Sequence, residues 1–567
     1  MNEAYKQMSK YPKYVYPEKI SVKDRKWPDR ILKKAPIWCS VDLRDGNQAL
    51  PIPMNPEEKL NYFKLLLKVG FKEIEVGFPS ASQDDFIFVR KLIEEDLIPE
   101  DVRISVLTQA REPLIAKTVE ALKGVKKAIL HLYVATSDLH GKLVFKKSRK
   151  EVCDMAVDGT EIVKRYIADN GMCDNIAYEF SAEEFTDSDI DFAIEVCSAV
   201  KKSWGECRKE DFIVNLPATV ERRPPYQYAD MIEYFISKYP YPDQTLVSIH
   251  AHNDQGCAVA ASEMALLAGA ERVEGTLFGH GERTGNVDLI TLSMNLHSRG
   301  IETELDFSDI NNIIRVVEEA SRIPVHERHP YAGNLVFTAF SGSHQDAIMK
   351  GIAARDQAAE HFGQTWKVPY LHIDPSDVGR EYERLIRINS QSGKGGAAYI
   401  LEHDFGYLTP KGMHPEIGYM VQRIAESKGL EVDSHELLEA FKKEFLNVIG
   451  PFKIMKFERL PSDDQNIVKV HMIFKAFDKE YDISGTGNGP ISAAVKAFKT
   501  VDKVFGFVLD DFIEQSLGHS ADAKAIAYVA VKRTSDNRRF YGAGEHVNID
   551  KAAVYAVVAA LNRAAAL

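Results

Sequence analysis

Between Pro36 and Gly281 one pattern recurs eight times: a short β-rich run closed by polar residues, then an amphipathic stretch, then the next run. The runs are Ile37–Val41, Glu73–Val76, Val102–Leu107, Ala128–Ala135, Ile176–Phe180, Phe212–Leu216, Leu246–Ile249 and Arg272–Phe278. Successive runs lie about 25 to 45 residues apart, which suits a parallel crossover with a helix in each interval. Eight such units predict an α/β fold, a (β/α)8 TIM barrel. In that fold the polar residues closing each strand converge on one mouth, where the chemistry sits.

The rest of the 567-residue chain reads differently. Residues 1–35 form an N-terminal arm ahead of a catalytic barrel at 36–305, and 306–447 read as helical linker subdomains broken by Pro324, Pro330, Pro369 and Pro375. Residues 448–567 carry an internal repeat. Asp482-Ile483-Ser484-Gly485-Thr486-Gly487 before a helix-like stretch is echoed by Phe540-Tyr541-Gly542-Ala543-Gly544 before another. Each copy follows an alternating strand, Val468–Phe474 or Ile526–Val531, so two β-β-α units with glycine turns are expected to make a small α+β domain.

A net charge of −12 gives no positive field for nucleic acid or an anionic membrane, and no apolar stretch is long enough to span a bilayer. The first thirty residues lack an apolar signal segment, and six cysteines form no C-x-x-C pair. A cytoplasmic protein with reduced thiols is expected, with neither a disulfide frame nor a Cys-ligated zinc.

Two strand ends carry the chemistry. In His250-Ala251-His252 the imidazoles, two apart on an extended strand, share a face and can reach one ion; the alternative is a pair of core or surface histidines. Arg44-Asp45 ends the first run, and Asp45 with His250 and His252 is a mixed O/N set suited to Mg2+, Mn2+ or Zn2+ with positions open for substrate. Arg44 adds a cation that polarises a carbonyl or holds a carboxylate. Glu183, Thr219 and Glu282 close three other strands and either orient a bound acid or serve as structural polar residues. After the eighth run the glycine-rich Gly279–Asn286 turn sits where barrels often bind phosphate, without a P-loop lysine. Asn286 is either a fourth ligand or a helix N-cap.

Leu43-Arg44-Asp45-Gly46-Asn47-Gln48, with Lys59 eleven residues on, and His250-Ala251-His252-Asn253-Asp254-Gln255-Gly256 resemble the two signatures of the α-isopropylmalate and homocitrate synthase family. Asn215–Glu221, Gly281–Asn286, His326–Pro330 and Phe340–Asp346 are similar to its longer members, which end in a leucine-binding regulatory domain. The likeness runs from about Lys26 to the C-terminus. It implies a homodimeric, divalent-metal-dependent enzyme that condenses acetyl-CoA with 3-methyl-2-oxobutanoate, hydrolyses the thioester to (2S)-2-isopropylmalate and CoA, and is inhibited by leucine. By position it implies Asp45, His250 and His252 as metal ligands with Asn286 nearby, and Arg44 polarising the ketone. Thr219 would hold the carboxylate, Glu183 and His131 would shape the pocket, and Glu282, His344 and Tyr370 would do acid-base work, the last two from the other subunit. Gly485, Gly487, Asn488 and Pro490 match the leucine-binding region. His280 departs from the pattern, which has Asn in several relatives, and bears on the acetyl-CoA contact.

Homocitrate or citramalate synthase would share every ligand and differ in the oxoacid pocket, where a methylene is worth about 1–3 kcal/mol. A non-catalytic amino-acid sensor would lack ligands or bases that are present here, and a hydrolytic barrel would show more His and carboxylate ligands. A chain ended near Pro461 is expected to stay active and to ignore leucine.

Overall fold

Eight parallel strands close in chain order: β1 (Ile37–Ser40), β2 (Glu73–Gly77), β3 (Arg103–Gln109), β4 (Ala128–Ala135), β5 (Ile176–Glu183), β6 (Phe212–Ala218), β7 (Leu246–Ala251) and β8 (Arg272–Gly275), with Cys39 of β1 opposite Glu274 of β8. This computed structural model describes residues 16–18, 20–339, 341–382, 394–428, 432, 434–461, 466–517 and 524–566. The first fifteen residues of the arm and Phe340 of the Phe340–Asp346 motif lie outside the described residues. Two compact units are present, Met1–Phe337 with His372–Glu381, and Thr338–Leu371 with Tyr382–Leu567.

Capping residues start the barrel helices where the runs predict them. Asn55 and Glu58 form a capping box on Pro56–Val69, Ser148 and Glu151 another on Arg149–Asp169, and Asp189 caps Ile190–Trp204. The arm is held by Asp230, which accepts from Arg25 Nε at 2.6 Å and Trp27 Nε1 at 2.8 Å. Lys59 is buried, donating to the carbonyls of Leu43 (2.8 Å) and Val76 (3.1 Å) and pairing with Asp85 at 2.5 Å. It therefore ties the end of β1 to the end of β2, which is why a lysine belongs in the Leu43–Gln48 signature.

Strand alternation separates two faces. Outward residues such as Ile104, Val106, Leu130, Leu132, Phe180, Leu216 and Ile249 are fully buried. The inward residues come in layers. Ile37, Ile129, Ala177, Ile213 and Leu246 form an apolar floor. Two residues further along, the filling is ionic: Arg272, fully buried, reaches Glu73 (2.6 Å) of β2 and Glu179 (3.1 Å) of β5 as well as Glu274 (2.7 Å) of its own strand. Barrels usually fill this level with branched aliphatic side chains. Here Glu73-x-Glu75 and Arg272-x-Glu274 place charges at the inward period of two.

The second unit holds helices Gly342–Ala353, Arg355–Phe362, Lys394–His403, His414–Lys428 and Ser434–Phe445, then two three-stranded antiparallel sheets. The first is β9 (Phe452–Leu460), β10 (Val468–Ala476) and β11 (Lys479–Gly487), followed by helix Pro490–Phe498. The second is β12 (Phe507–Leu517), β13 (Lys524–Arg533) and β14 (Arg539–His546), followed by helix Ile549–Ala566. Each repeat is thus β-β-β-α, not β-β-α. The missed strands, β9 and β12, are edge strands in which apolar residues such as Met455, Leu460, Val508, Phe512 and Ile513 fall at exposed positions among charged ones, so the sequence shows little apolar alternation.

Gly485 and Gly487 lie within β11, not in a turn. A Cβ on Gly485 would run into the carbonyl oxygen of Ala493, and one on Gly487 would come within 2.6 Å of the Ala493 nitrogen. Gly542 repeats the arrangement in β14, with Ala556 O at 2.6 Å. The glycines let each helix lie directly on its sheet. Gly485→Ala is expected to lower stability of this unit by about 1–3 kcal/mol through overpacking, read as a lower melting midpoint; an unchanged midpoint would show that the helix can lift without penalty.

Candidate active site and metal centre

The barrel mouth is a cavity of about 270 Å3. A one-turn segment, Asp42–Gly46, follows β1 and carries Arg44 and Asp45; β7 and the residue after it carry His250 and His252. Asp45 Oδ2 lies 3.5 Å from His250 Nε2 and 3.8 Å from His252 Nε2, and one ligand atom from each of the three falls within 4.8 Å of the others. All three are buried.

Asn286 completes the group. Its Nδ2 donates to Asp45 Oδ2 at 2.7 Å, and its Oδ1 accepts from His250 Nε2 at 2.7 Å. The helix-cap alternative for Asn286 falls to Asp288, whose carboxylate accepts from Ile290 N and Thr291 N. Gly285, at φ +95°, turns the chain so that the Asn286 nitrogen meets the Gly279 carbonyl. His280 contributes to this corner through its carbonyl, which accepts from Asn286 Nδ2 at 2.8 Å and Thr276 Oγ1 at 2.7 Å. A His in place of Asn at that position leaves this backbone contact intact.

Arg44 is nearly buried, donating to Asp45 Oδ1 at 2.8 Å and to Glu75. Glu75 also accepts from His131 Nδ1 at 2.7 Å, so one inward carboxylate orients both Arg44 and His131. Glu183 lines the cavity half-buried, and burial pushes its carboxyl above the usual range. Thr219 Oγ1 accepts from the Glu184 nitrogen at 2.9 Å, which leaves its hydroxyl proton to donate into the cavity. Glu282 is exposed at the rim, with Gln48 Nε2 at 3.4 Å. His344 and Tyr370 belong to the second unit, where their rings stack at 4.0 Å and Tyr370 is 65% exposed. Glu75 and Glu274, which the sequence reading passed over, support this site; the signal for them was the same i, i+2 spacing that marks His250 and His252.

The donor set fits a divalent ion. It offers one carboxylate, two imidazoles and an amide oxygen, and His252 Nδ1 is buried with no hydrogen-bond partner among the described residues. Burial raises the Asp45 carboxyl, but the Arg44 guanidinium and then His250 outweigh it and hold the group well below the carboxylate range. Burial lowers His250, yet the Asp45 and Glu274 carboxylates beside it push it up to about 9. His252 is pulled down to about 4 by burial and by the neighbouring His250 charge.

The first part of the chain, residues 35–317, matches the HMGL-like family; residues 334–402 match the α-isopropylmalate synthase post-catalytic domain, and 431–565 the LeuA allosteric (dimerisation) domain. A 2-isopropylmalate synthase from Clostridium acetobutylicum is 48% identical, covering 98% of this chain and 99% of its own. The chain belongs to the 2-isopropylmalate synthase family. Other members are similarly close: the Rhodospirillum rubrum synthase is 48% identical over 96% of this chain and 97% of its own, and the Schizosaccharomyces pombe synthase 47% over 96% and 94%. Membership of the 2-isopropylmalate synthase family makes the chain an enzyme of the acyltransferase class. The match to the LeuA domain falls on the part that carries the two sheets. No described helix is long and apolar enough to cross a membrane.

Proposed function

We propose that this chain condenses acetyl-CoA with 3-methyl-2-oxobutanoate and hydrolyses the resulting thioester, releasing (2S)-2-isopropylmalate and CoA. The observation that carries the reading is Arg44 beside the Asp45, His250 and His252 group at a barrel mouth, in a chain similar over nearly its whole length to 2-isopropylmalate synthases. Asp45, His250 and His252, with Asn286, would hold Mg2+, Mn2+ or Zn2+. When bound, that ion supplies positive charge to a ketone and to the alkoxide that develops from it.

The chain's own residues do the rest. Arg44, with two of its donors spent on Asp45 and Glu75, keeps N–H groups for the ketone oxygen of the oxoacid. Thr219 donates its hydroxyl to the oxoacid carboxylate. His131 and Glu183 bound the space for the branched side chain, with Leu107 and Phe78 as apolar wall. Glu282, His344 and Tyr370 are the proton carriers, one of them taking the proton of the acetyl methyl. The thioester methyl is a weak carbon acid, so that base must come within hydrogen-bond reach of it. Leucine is the proposed effector, bound around Gly485, Gly487, Asn488 and Pro490, and the enzyme works as a homodimer. The proposed location is the cytoplasm, supported by six cysteines that are all free.

The test is CoA release with acetyl-CoA and a panel of 2-oxoacids, with and without chelator and leucine. The expected result is turnover with 3-methyl-2-oxobutanoate that chelator removes and leucine depresses several-fold. Turnover confined to a different oxoacid would overturn the substrate, and turnover indifferent to chelator the metal.

Protons compete with the ion. His250 titrates near 9 in the metal-free site, so below that pH an ion must displace a proton to bind its Nε2. Metal affinity is expected to weaken by about tenfold for each unit of pH lowered from 9 toward 7, because each unit multiplies the proton competitor tenfold. Calorimetric titration across that range checks this; a flat affinity would mean that His250 is not a ligand.

A further inference from the structure

His250 and His252 face the same carboxylate but are supported differently. His250 Nδ1 donates to Glu274 Oε2 at 2.7 Å, while His252 Nδ1 has no partner among the described residues. Glu274 is itself fixed from three strands: Oε2 also accepts from Asn215 Nδ2 at 3.1 Å, and Oε1 accepts from Arg272 Nη1 at 2.7 Å. In the sheet His250 and Glu274 are direct register partners, so the contact is built into the pairing of β7 with β8. Glu274 is fully buried and does not line the cavity.

We infer that Glu274 is a positioning residue for the metal-binding nitrogen of His250: a carboxylate at the foot of the imidazole that keeps the proton on Nδ1 and turns Nε2 toward Asp45. The inference rests on the metal reading above and adds a residue to it. Beside the Glu179 carboxyl, which burial and the Glu274 charge raise well above the usual range, three groups donate to the Glu274 carboxylate: Arg272, His250 and Asn215. Only an acceptor at both oxygens satisfies them. A glutamine there fails in either orientation. Its NH2 group turned to Arg272 sets donor against donor, and turned to His250 it makes Nδ1 an acceptor and moves the proton to Nε2. That is the nitrogen 3.5 Å from Asp45 Oδ2. Loss of such an outer partner typically weakens metal binding about 10–100-fold. The two histidines are therefore unequal, His250 held in one tautomer and His252 free to adjust.

The experiment is calorimetric titration of Mn2+ into the full chain without substrates, for the wild type, Glu274→Gln and Ser248→Ala. Ser248 accepts from the same Arg272 at 2.8 Å without touching Glu274, so it reports damage to the buried layer alone. Glu274→Gln is expected to bind Mn2+ at least about tenfold more weakly, and Ser248→Ala within about threefold of the wild type. Activity of Glu274→Gln should return as Mn2+ is raised, which a fold defect would not do. If Glu274→Gln does not fold, Glu274→Asp, which keeps the charge but is a methylene too short to reach both Arg272 and His250, is read by the same criterion. Wild-type affinity in the folded variant overturns the inference alone; equal weakening in Ser248→Ala also overturns it. A wild type that binds no Mn2+ overturns the metal reading and this inference with it.

Discussion

Asp45→Asn is expected to empty the site of metal and to lower kcat/KM by about a thousandfold or more. Asp45 supplies the only carboxylate among the proposed ligands, and the same group pairs with Arg44 at 2.8 Å. Its removal therefore strips the ion's anionic ligand and frees the guanidinium that should point at the ketone. One electrostatic contact of this kind is worth about 10²–10³ in kcat, and two are lost together. The substitution is isosteric, so folding should survive. Metal content by elemental analysis and CoA release from the same preparation check this. A variant that keeps both its metal and its turnover would remove Asp45 from the centre.

A chain ended at Pro461 is expected to be insoluble and inactive, contrary to what the repeat suggests when read alone. The helices Lys394–His403, His414–Lys428 and Ser434–Phe445 do not close a core by themselves. Their buried Leu401, Ile417 and Phe441, with Met413 in the turn before His414–Lys428, pack with Ile526, Tyr528, Ala530, Tyr541 and Ala543 of β13 and β14. Arg563 of the last helix pairs with Glu416 at 2.5 Å, and Asn562 donates to the carbonyls of Val448 and Phe452. Fully burying one large apolar side chain is worth about 1.5–3 kcal/mol, so exposing several exceeds the usual margin of about 5–15 kcal/mol. Size-exclusion profile and CoA release decide the matter; a monodisperse, active product would show the C-terminal sheets to be separable. Leucine response is better tested by point changes such as Asn488→Ala, at an exposed position.

The barrel could be read from the sequence because its runs end in polar residues and its inward chemistry has period two, as in His250-x-His252. The limits are equally local. Glu73, Glu75, Arg272 and Glu274 have the same spacing, but a charged pair inside a β-run reads as a surface until opposite strands are known to face one another. Only closure of the barrel brings Arg272 to Glu179. The eighth strand stops at Gly275 rather than Phe278, because Phe278 takes φ +60° in the turn that follows. Gly485 and Gly487 look like an anion-binding turn, and their nearest reason is instead the helix lying against β11. Asn286 was ambiguous until Asp288 took the capping role.

The charged filling between the apolar floor and the mouth also bears on how the barrel responds to temperature. Unfolding an aliphatic layer hydrates apolar surface and raises heat capacity, whereas hydrating carboxylates and guanidinium lowers it. With Arg272, Glu73, Glu179 and Glu274 occupying that level, the heat-capacity increment of this barrel should be smaller than that of an aliphatic barrel of the same length. Its stability curve is correspondingly flatter. Because the cost of dehydrating ions falls on warming, the layer favours the folded barrel more at high temperature than at low.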